Sequence, residues 1–246
     1  MGEILYLLIY QPLFNLLIFL YNVIPFPDLG LAVILLTLVI KGILFPLGMK
    51  SARSQREMQA IQPEIKELQE KYKDDKETQA KKIMELYKER NVSPFSGMIP
   101  LFVQLPILIS LFQIFRRGLG SEELKHLYDF VSKPGVVNYE FLGLMDLSSP
   151  HVVIAIIAAA GQYLQMKMTM GRKKEDEGSD SGKGDMAKAM QSQMIMFLPG
   201  FTFVVLLNLP SAVGLYWIVT VIISVLQQYI IKKDKEKENG GNKENN

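Results

Sequence analysis

Lys41 is the only charged residue in the 21-residue apolar segment Leu29–Met49. An ammonium group at mid-membrane depth costs about 2.5–3.5 kcal/mol on insertion scales. Two arrangements relieve that cost: the stem snorkels to the interface, or the amine faces a water-containing cavity. No Asp or Glu lies in any other long apolar segment, so no buried acid can neutralise Lys41. A cation with no acidic partner turns to water, amide oxygens or a visiting anion. Candidate amides are Gln104, Gln162, Gln165, Asn208 and the pair Gln227-Gln228. Each has a competing role as interhelical glue, and Gln227-Gln228 sit near the membrane boundary, where polar residues are ordinary. Gln104 lies between Pro100 and Pro106, whose missing N–H groups free backbone carbonyls that its amide could also serve. Trp217, next to Tyr216, sits about six residues inside its apolar segment. That depth suits a groove wall better than an interfacial belt.

Other chemistry finds little support. There is no glycine-rich phosphate loop followed by Lys-Ser/Thr, no HExxH and no nucleophile elbow. Cysteine is absent and the histidines number two, His126 and His151, so thiol chemistry and a zinc or iron site are not expected. A net charge of +2, from 27 basic and 25 acidic residues, implies no direct nucleic-acid specificity. The expectation is a protein that is not an enzyme, with no cofactor and no metal. Glu3 stands where a cleaved signal peptide would have a basic region.

The elements that must position these residues are apolar helices. Apolar residues make up 49% of the 246, and 24-, 24- and 43-residue stretches after Glu3, from Val92 and from Ala189 carry no charge. No soluble domain of this size could hide such runs. The fold class is an all-α polytopic membrane protein. Residues 1–27 form an amphipathic helix in which Gln11, Asn15 and Asn22 fall within about 40° of one another at 3.6 residues per turn. An interfacial helix is the preferred reading, and a sixth span with its stripe against protein is the alternative. Spans are expected over 28–50, 93–116, 147–167, 189–208 and 211–231, with Pro46 bending the first and Asn208–Ser211 turning between the last two. Ala155, Ala158, Ala159, Ala160 and Gly161 thin one face of the third span and permit close helix approach.

Residues 51–92 read as a water-exposed helical hairpin with a turn at Asp74-Asp75. Met58, Ile61, Ile65, Leu68 and Tyr72 form one apolar stripe, and Ala80, Ile83 and Tyr87 continue as a second. Residues 117–146 form a mixed extracytoplasmic loop with a short helix near Glu122–Val131, 168–188 a flexible cytoplasmic loop, and 232–246 a polar cytoplasmic tail. Eleven Lys/Arg in residues 50–92 against four in 116–146 place the hairpin and C-terminus in the cytoplasm and the N-terminus outside.

Several of these stretches resemble the YidC/Oxa family of membrane protein insertases, in its short bacterial form. They are Leu36-Thr37 through Lys41 to Phe45-Pro46-Leu47, Met58 with Gln62-Pro63, Pro100 through Gln104 to Pro106, and Pro210 with Gly214-Leu215-Tyr216-Trp217 and Gln227-Gln228. The resemblance covers nearly all of residues 29–231. It implies a five-transmembrane-helix insertase bundle with an N-terminal interfacial helix, in a bacterial cell membrane. The bundle would enclose a hydrophilic groove open to cytoplasm and lipid. Lys41, Gln104, Gln162 and Trp217 are the expected groove residues. Lys41 falls where the family usually has arginine, which keeps the charge but loses the planar fork. The hairpin residues Met58, Ile61, Ile65, Leu68, Tyr72, Ile83 and Tyr87 correspond to the family's substrate-recruitment segment. The implied partners are nascent membrane proteins and membrane lipids, with transient contact to ribosome, targeting receptor or Sec translocase. The competing functions are a small-solute or ion channel or transporter, which would predict repeats and broken helices at mid-membrane, and a structural partner of a translocase.

Overall fold

A computed structural model describes residues 3–93, 99–120, 122–169 and 196–241. The first helix, α1, runs Glu3–Val23 and is 21 residues long. Pro12 has no N–H to give the carbonyl four residues back. Just ahead of it the chain widens into a π-turn over Tyr6–Tyr10, and the Gln11 N–H donates to the Tyr6 carbonyl. One face of α1 is apolar and fully buried, with Phe14, Leu17 and Ile18 inside the core. The polar stripe goes to the segment after α6 (Ile99–Arg117). Asn15 donates to the His126 carbonyl at 3.2 Å and accepts from the Tyr128 N–H at 2.6 Å. Asn22 donates to the Ser132 carbonyl at 2.6 Å.

Helix α2 spans Leu29–Ile43 and starts at Asp28, whose carboxylate accepts from the Leu31 N–H at 2.8 Å. The other Asp28 oxygen accepts from the Leu142 N–H at 2.6 Å. Leu142 belongs to a tight connection between β1 (Glu140–Phe141) and β2 (Met145–Asp146), which pair antiparallel. The Phe141 ring lies so close over Gly30 that any β-carbon there would strike it. The missing side chain at position 30 thus lets the small β-ribbon seal the start of α2.

The expected bend near Pro46 is present and sharp. Helix α2 ends at Ile43, and α3 (Phe45–Ala60) leaves at 65°. Pro46 occupies the first turn of α3, where its missing N–H does no harm. Pro63 resets the chain again, giving α4 over Gln62–Lys71. Asp75 caps α5 (Lys76–Glu89) by accepting from the Thr78 N–H at 3.0 Å. The hairpin is therefore built from α4 and α5, while α3 packs on the bundle against α6 and on the last helix.

The remaining helices are α7 (Val152–Thr169), α8 (Met196–Leu206) and α9 (Ser211–Gly241). The turn between α8 and α9 is pinned to the start of α7. Ser211 donates through its N–H and hydroxyl to the Ser149 carbonyl, at 3.1 and 2.6 Å. Helix α9 packs most extensively on α7 and then on α2. It continues through Gly241, beyond the point where the polar tail was expected to begin. The segment expected to be a helix over Glu122–Val131 holds only a 3₁₀ turn at Glu123–His126. Most of the expected 168–188 loop, residues 94–98 and the first residues of the fourth expected span lie outside the described residues.

The outside of the bundle is apolar. Phe102, Leu105 and Ile109 on α6, Ile156 and Ile157 on α7, Phe201 and Val204 on α8, and Ile222 and Leu226 on α9 are all exposed. Such contiguous apolar surface fits contact with lipid. Among the described residues, α1 and Ser211–Ile231 are each long and apolar enough to cross a membrane, and α2 with α3 makes a third if the bent pair counts as one. The architecture is a helical membrane bundle with two, or up to three, helices of spanning length.

Candidate functional site

Lys41 sits in the last turn of α2, about 18 Å along the helix from Leu29. Its Nζ donates to Gln104 Oε1 on α6 at 3.1 Å. Gln104 Nε2 in turn donates to the Tyr216 hydroxyl on α9, a short contact. Tyr216 is fully buried. One amide thus bridges a cation and a buried phenol, and the chain of hydrogen bonds crosses three helices. An amide suits this place because it accepts through oxygen and donates through nitrogen. Among the described residues Lys41 has no carboxylate partner, and the bond to Gln104 takes up one of the three N–H donors of Lys41.

The space those donors face is a cavity of about 120 Å³, lined by Lys41 and Gln104 together with Ser51, Gln165, Ser224 and Gln227 among others. That is room for several waters at roughly 30 Å³ each. The walls come from α2, α3, α6, α7 and α9, so the 65° turn at Leu44 folds α3 across the cavity's edge. Two contacts hold α3 there. Arg56 donates to the Gln228 carbonyl at 2.5 Å. At Gly48, a β-carbon would come within 2.7 Å of Gln227 Nε2, so glycine allows α3 to lie directly on α9.

The four expected groove residues divide into two pairs. Lys41 and Gln104 share the cavity. Gln162 and Trp217 bond to each other instead, with Trp217 Nε1 donating to Gln162 Oε1 at 3.1 Å. Gln162 is buried, and beside it Ala155 and Ala158 are buried and Gly161 lies against Val221. This second pair joins α7 to α9 where small residues bring the helices close. Neither residue lines the Lys41 cavity. Asn208, in the turn after α8, spends its amide on the Val204 carbonyl of that helix at 2.9 Å.

The hairpin stripe turns inward. Ile61 and Ile65 pack with Leu86 and Val92, and Met58, Leu68, Ile83 and Tyr87 close around them. These side chains hold α4 against α5, and Arg90 adds an exposed ion pair to Glu64 at 2.8 Å. Tyr72 ends α4, where Lys71 lies 5.5 Å from the centre of its ring. The most exposed large apolar residue of the hairpin is Met84, which the stripes did not include.

Sequence reasoning passed over Tyr216 as the partner of Gln104, and it set Gln227 and Gln228 aside as boundary residues. A usable signal was present: Ser224, Gln227 and Gln228 recur at helical spacing on one face of an otherwise apolar helix.

The family model described as the 60Kd inner membrane protein matches residues 19–239, including every helix that lines the cavity. The chain belongs to the YidC/Oxa membrane-insertase family. Two proteins named membrane protein insertase YidC, from Francisella philomiragia subsp. philomiragia and Francisella tularensis subsp. novicida, are each 37% identical over 204 residues. Those residues make up 83% of this chain and 32% of each relative, so the chain spans about a third of the length of the curated relatives it matches. For a YidC/Oxa family member with helices of spanning length, the setting is a bacterial inner membrane, crossed more than once.

Proposed function

We propose that this chain is a membrane protein insertase and chaperone, which helps apolar segments of nascent proteins and their short polar flanks into the bilayer. The observation that carries this reading is the hydrated-size cavity around Lys41, with an amide relay on one side and the polar edge of α3 and α9 on the other. A polar segment crossing a bilayer must leave water for hydrocarbon, and a wet groove shortens that path. Lys41 attracts acidic residues of the passing segment through charge alone, since an ammonium lacks the two-pronged geometry of a guanidinium. The apolar part of the substrate leaves sideways along exposed Phe102, Leu105 and Ile222. The driving force is hydrophobic partitioning with a contribution from membrane potential.

The same reading takes five spans, with α1 lying along the outer surface. The stripe of α1 is bonded to a segment carrying Glu122, Glu123, Lys125 and Asp129. A charged, largely non-helical segment running beside α1 from Asn15 to Asn22 is at home in the headgroup region and not in hydrocarbon. The hairpin and C-terminus then face the cytoplasm. There the hairpin would meet nascent chains, ribosome, targeting receptor or Sec translocase as a folded unit, with Met58, Ile61, Ile65, Leu68, Ile83 and Tyr87 holding its shape and Tyr72 at the end of α4. Gln162 and Trp217 serve the groove from outside the Lys41 cavity, by fixing α7 on α9.

The test is insertion of a single-span substrate with a short acidic flank into liposomes containing only this protein. Protease-protected flank should appear with the protein and fall to the protein-free background without it. Equal protection in empty liposomes would end the proposal.

A further inference from the structure

A second cavity, of about 310 Å³, lies at the end of the bundle away from the hairpin. It is separate from the Lys41 cavity, since Gln104 and Arg117 are thirteen residues apart on α6, about 20 Å. Its lining is Glu3, Tyr6 and Leu7 from the first turns of α1, and Gln113 and Arg117 from the end of α6.

Three of the polar groups here are uncommitted. Among the described residues Glu3 and Gln113 have no hydrogen-bond or ion-pair partner, and the Tyr6 hydroxyl is shielded from solvent without one. Arg117 is held from behind. Its guanidinium lies 5.6 Å from the centre of the Tyr10 ring, and one nitrogen reaches Glu123 at 3.4 Å. Tyr10 fixes Glu123 in turn, donating to its other oxygen at 2.9 Å. A guanidinium has five N–H donors, so most of its fork stays available. The π-turn builds this arrangement by stacking Tyr6 on Tyr10, with ring centres 5.1 Å apart. Beside the cavity, Ile4, Leu7 and Leu8 are 75%, 57% and 71% exposed, an apolar surface leading straight from a charged pocket.

A cation and an anion, Arg117 and Glu3, face one space without pairing with each other, and the rim is apolar. We infer that this cavity holds the zwitterionic headgroup of an aminophospholipid, with its phosphate on Arg117 and Gln113, its ammonium on Glu3, and its acyl chains along Ile4, Leu7 and Leu8. The phosphate matches the planar fork of arginine. The ammonium supplies the N–H donors that Glu3 lacks. A purely anionic headgroup satisfies Arg117 but leaves Glu3 facing like charge. A choline headgroup offers Glu3 no N–H. This site does not depend on the insertase reading, only on the chain lying in a membrane.

Lipid titration followed by native mass spectrometry of the full chain in detergent tests the assignment. Phosphatidylethanolamine should bind about tenfold more tightly than phosphatidylglycerol or phosphatidylcholine, the size expected of one charge-assisted hydrogen bond. Glu3→Gln should erase that preference, and Arg117→Gln should weaken all three lipids about tenfold. Glu3 has no partner among the described residues, so its substitution leaves the packing intact and is the deciding variant. Equal wild-type affinity for the three lipids, or an unchanged preference in Glu3→Gln, would overturn the proposal. Free glycerophosphoethanolamine should compete weakly. Competition as strong as that of the intact lipid would replace the lipid with a soluble phosphodiester and refute the acyl-chain part.

Discussion

Replacing Gln104 by leucine tests the relay that joins Lys41 to Tyr216. Leucine is close to glutamine in size and suits a membrane helix, so the change removes two hydrogen bonds with little change in volume. Lys41 can turn to cavity water, because its amine already borders that space. Tyr216 is 0% exposed and has no water to turn to, which leaves it the Thr220 hydroxyl one turn on. Its stranded hydroxyl should cost about 1–3 kcal/mol. Tyr216→Phe alone leaves the Gln104 amide with Lys41 and water, and should cost about 1 kcal/mol. In the double variant the stranded hydroxyl no longer exists. Its total cost should therefore fall below the sum of the singles by about 1–2 kcal/mol. At roughly 2–4 °C per kcal/mol for a chain of this length, Gln104→Leu should lower the melting midpoint by about 2–12 °C. The assay is a double-mutant cycle on reversible unfolding in mixed micelles, with melting in lipid nanodiscs as a second readout. Additivity within about 0.5 kcal/mol would show that the two residues do not share an interaction, and the reasoning would fail.

Three further outcomes are expected. Lys41→Glu should reduce insertion of acidic-flanked substrates about tenfold or more in proteoliposomes, while Lys41→Arg retains most of it; equal yields from wild type and Lys41→Glu would count against charge attraction in the cavity. Excising residues 62–89 with a short Gly/Ser bridge should leave the bundle's melting midpoint within a few degrees, because α4 and α5 pack mainly on each other, yet crosslinking to nascent chains should drop several-fold. Asp146 accepts from the Ser148 N–H and from the Ser148 and Ser149 hydroxyls, and these bonds, the backbone one foremost, hold its carboxyl below the usual range. A depressed folded-state value means stability that is present above the unfolded carboxylate pKa, about 3.9, and is lost as pH falls through the folded value. Asp146→Asn should therefore flatten the wild type's loss of melting midpoint between about pH 4 and 2. The effect is small, because the group is largely exposed and screened, and an identical acid dependence in both proteins would dismiss it.

Much of the bundle could be read from the chain because a bilayer leaves few options for backbone groups. Uncharged runs marked the apolar helices, Pro46 marked the corner, and Asp74-Asp75 marked the hairpin turn. The pairing of Lys41 with Gln104 was legible for a similar reason: a cation without an acid must find an amide or water. What stayed hidden is partner choice among helices of like character. Periodicity gives the apolar face of a helix, but not which neighbour covers it. Gln162 and Trp217 look like groove residues by type and depth, yet the small face of α7 brings them to each other. The hairpin stripes look like a binding surface by pattern, and they close on themselves because two such stripes joined by a short turn bury each other first. The helical extension of α9 through Gly241 had no apolar signal to announce it.

The corner at Leu44 makes α3 a lever. Its stretch from Leu47 to Gln55 forms part of the rim around Lys41, and its far end carries the hairpin. Gly48 and the Arg56 hydrogen bond seat that stretch on α9 near its two ends. Force applied outside the bundle would arrive as torque on the residues around the amine. Any tilt of the hairpin would then alter the width of the polar chamber, and stiffening the elbow would decouple the two.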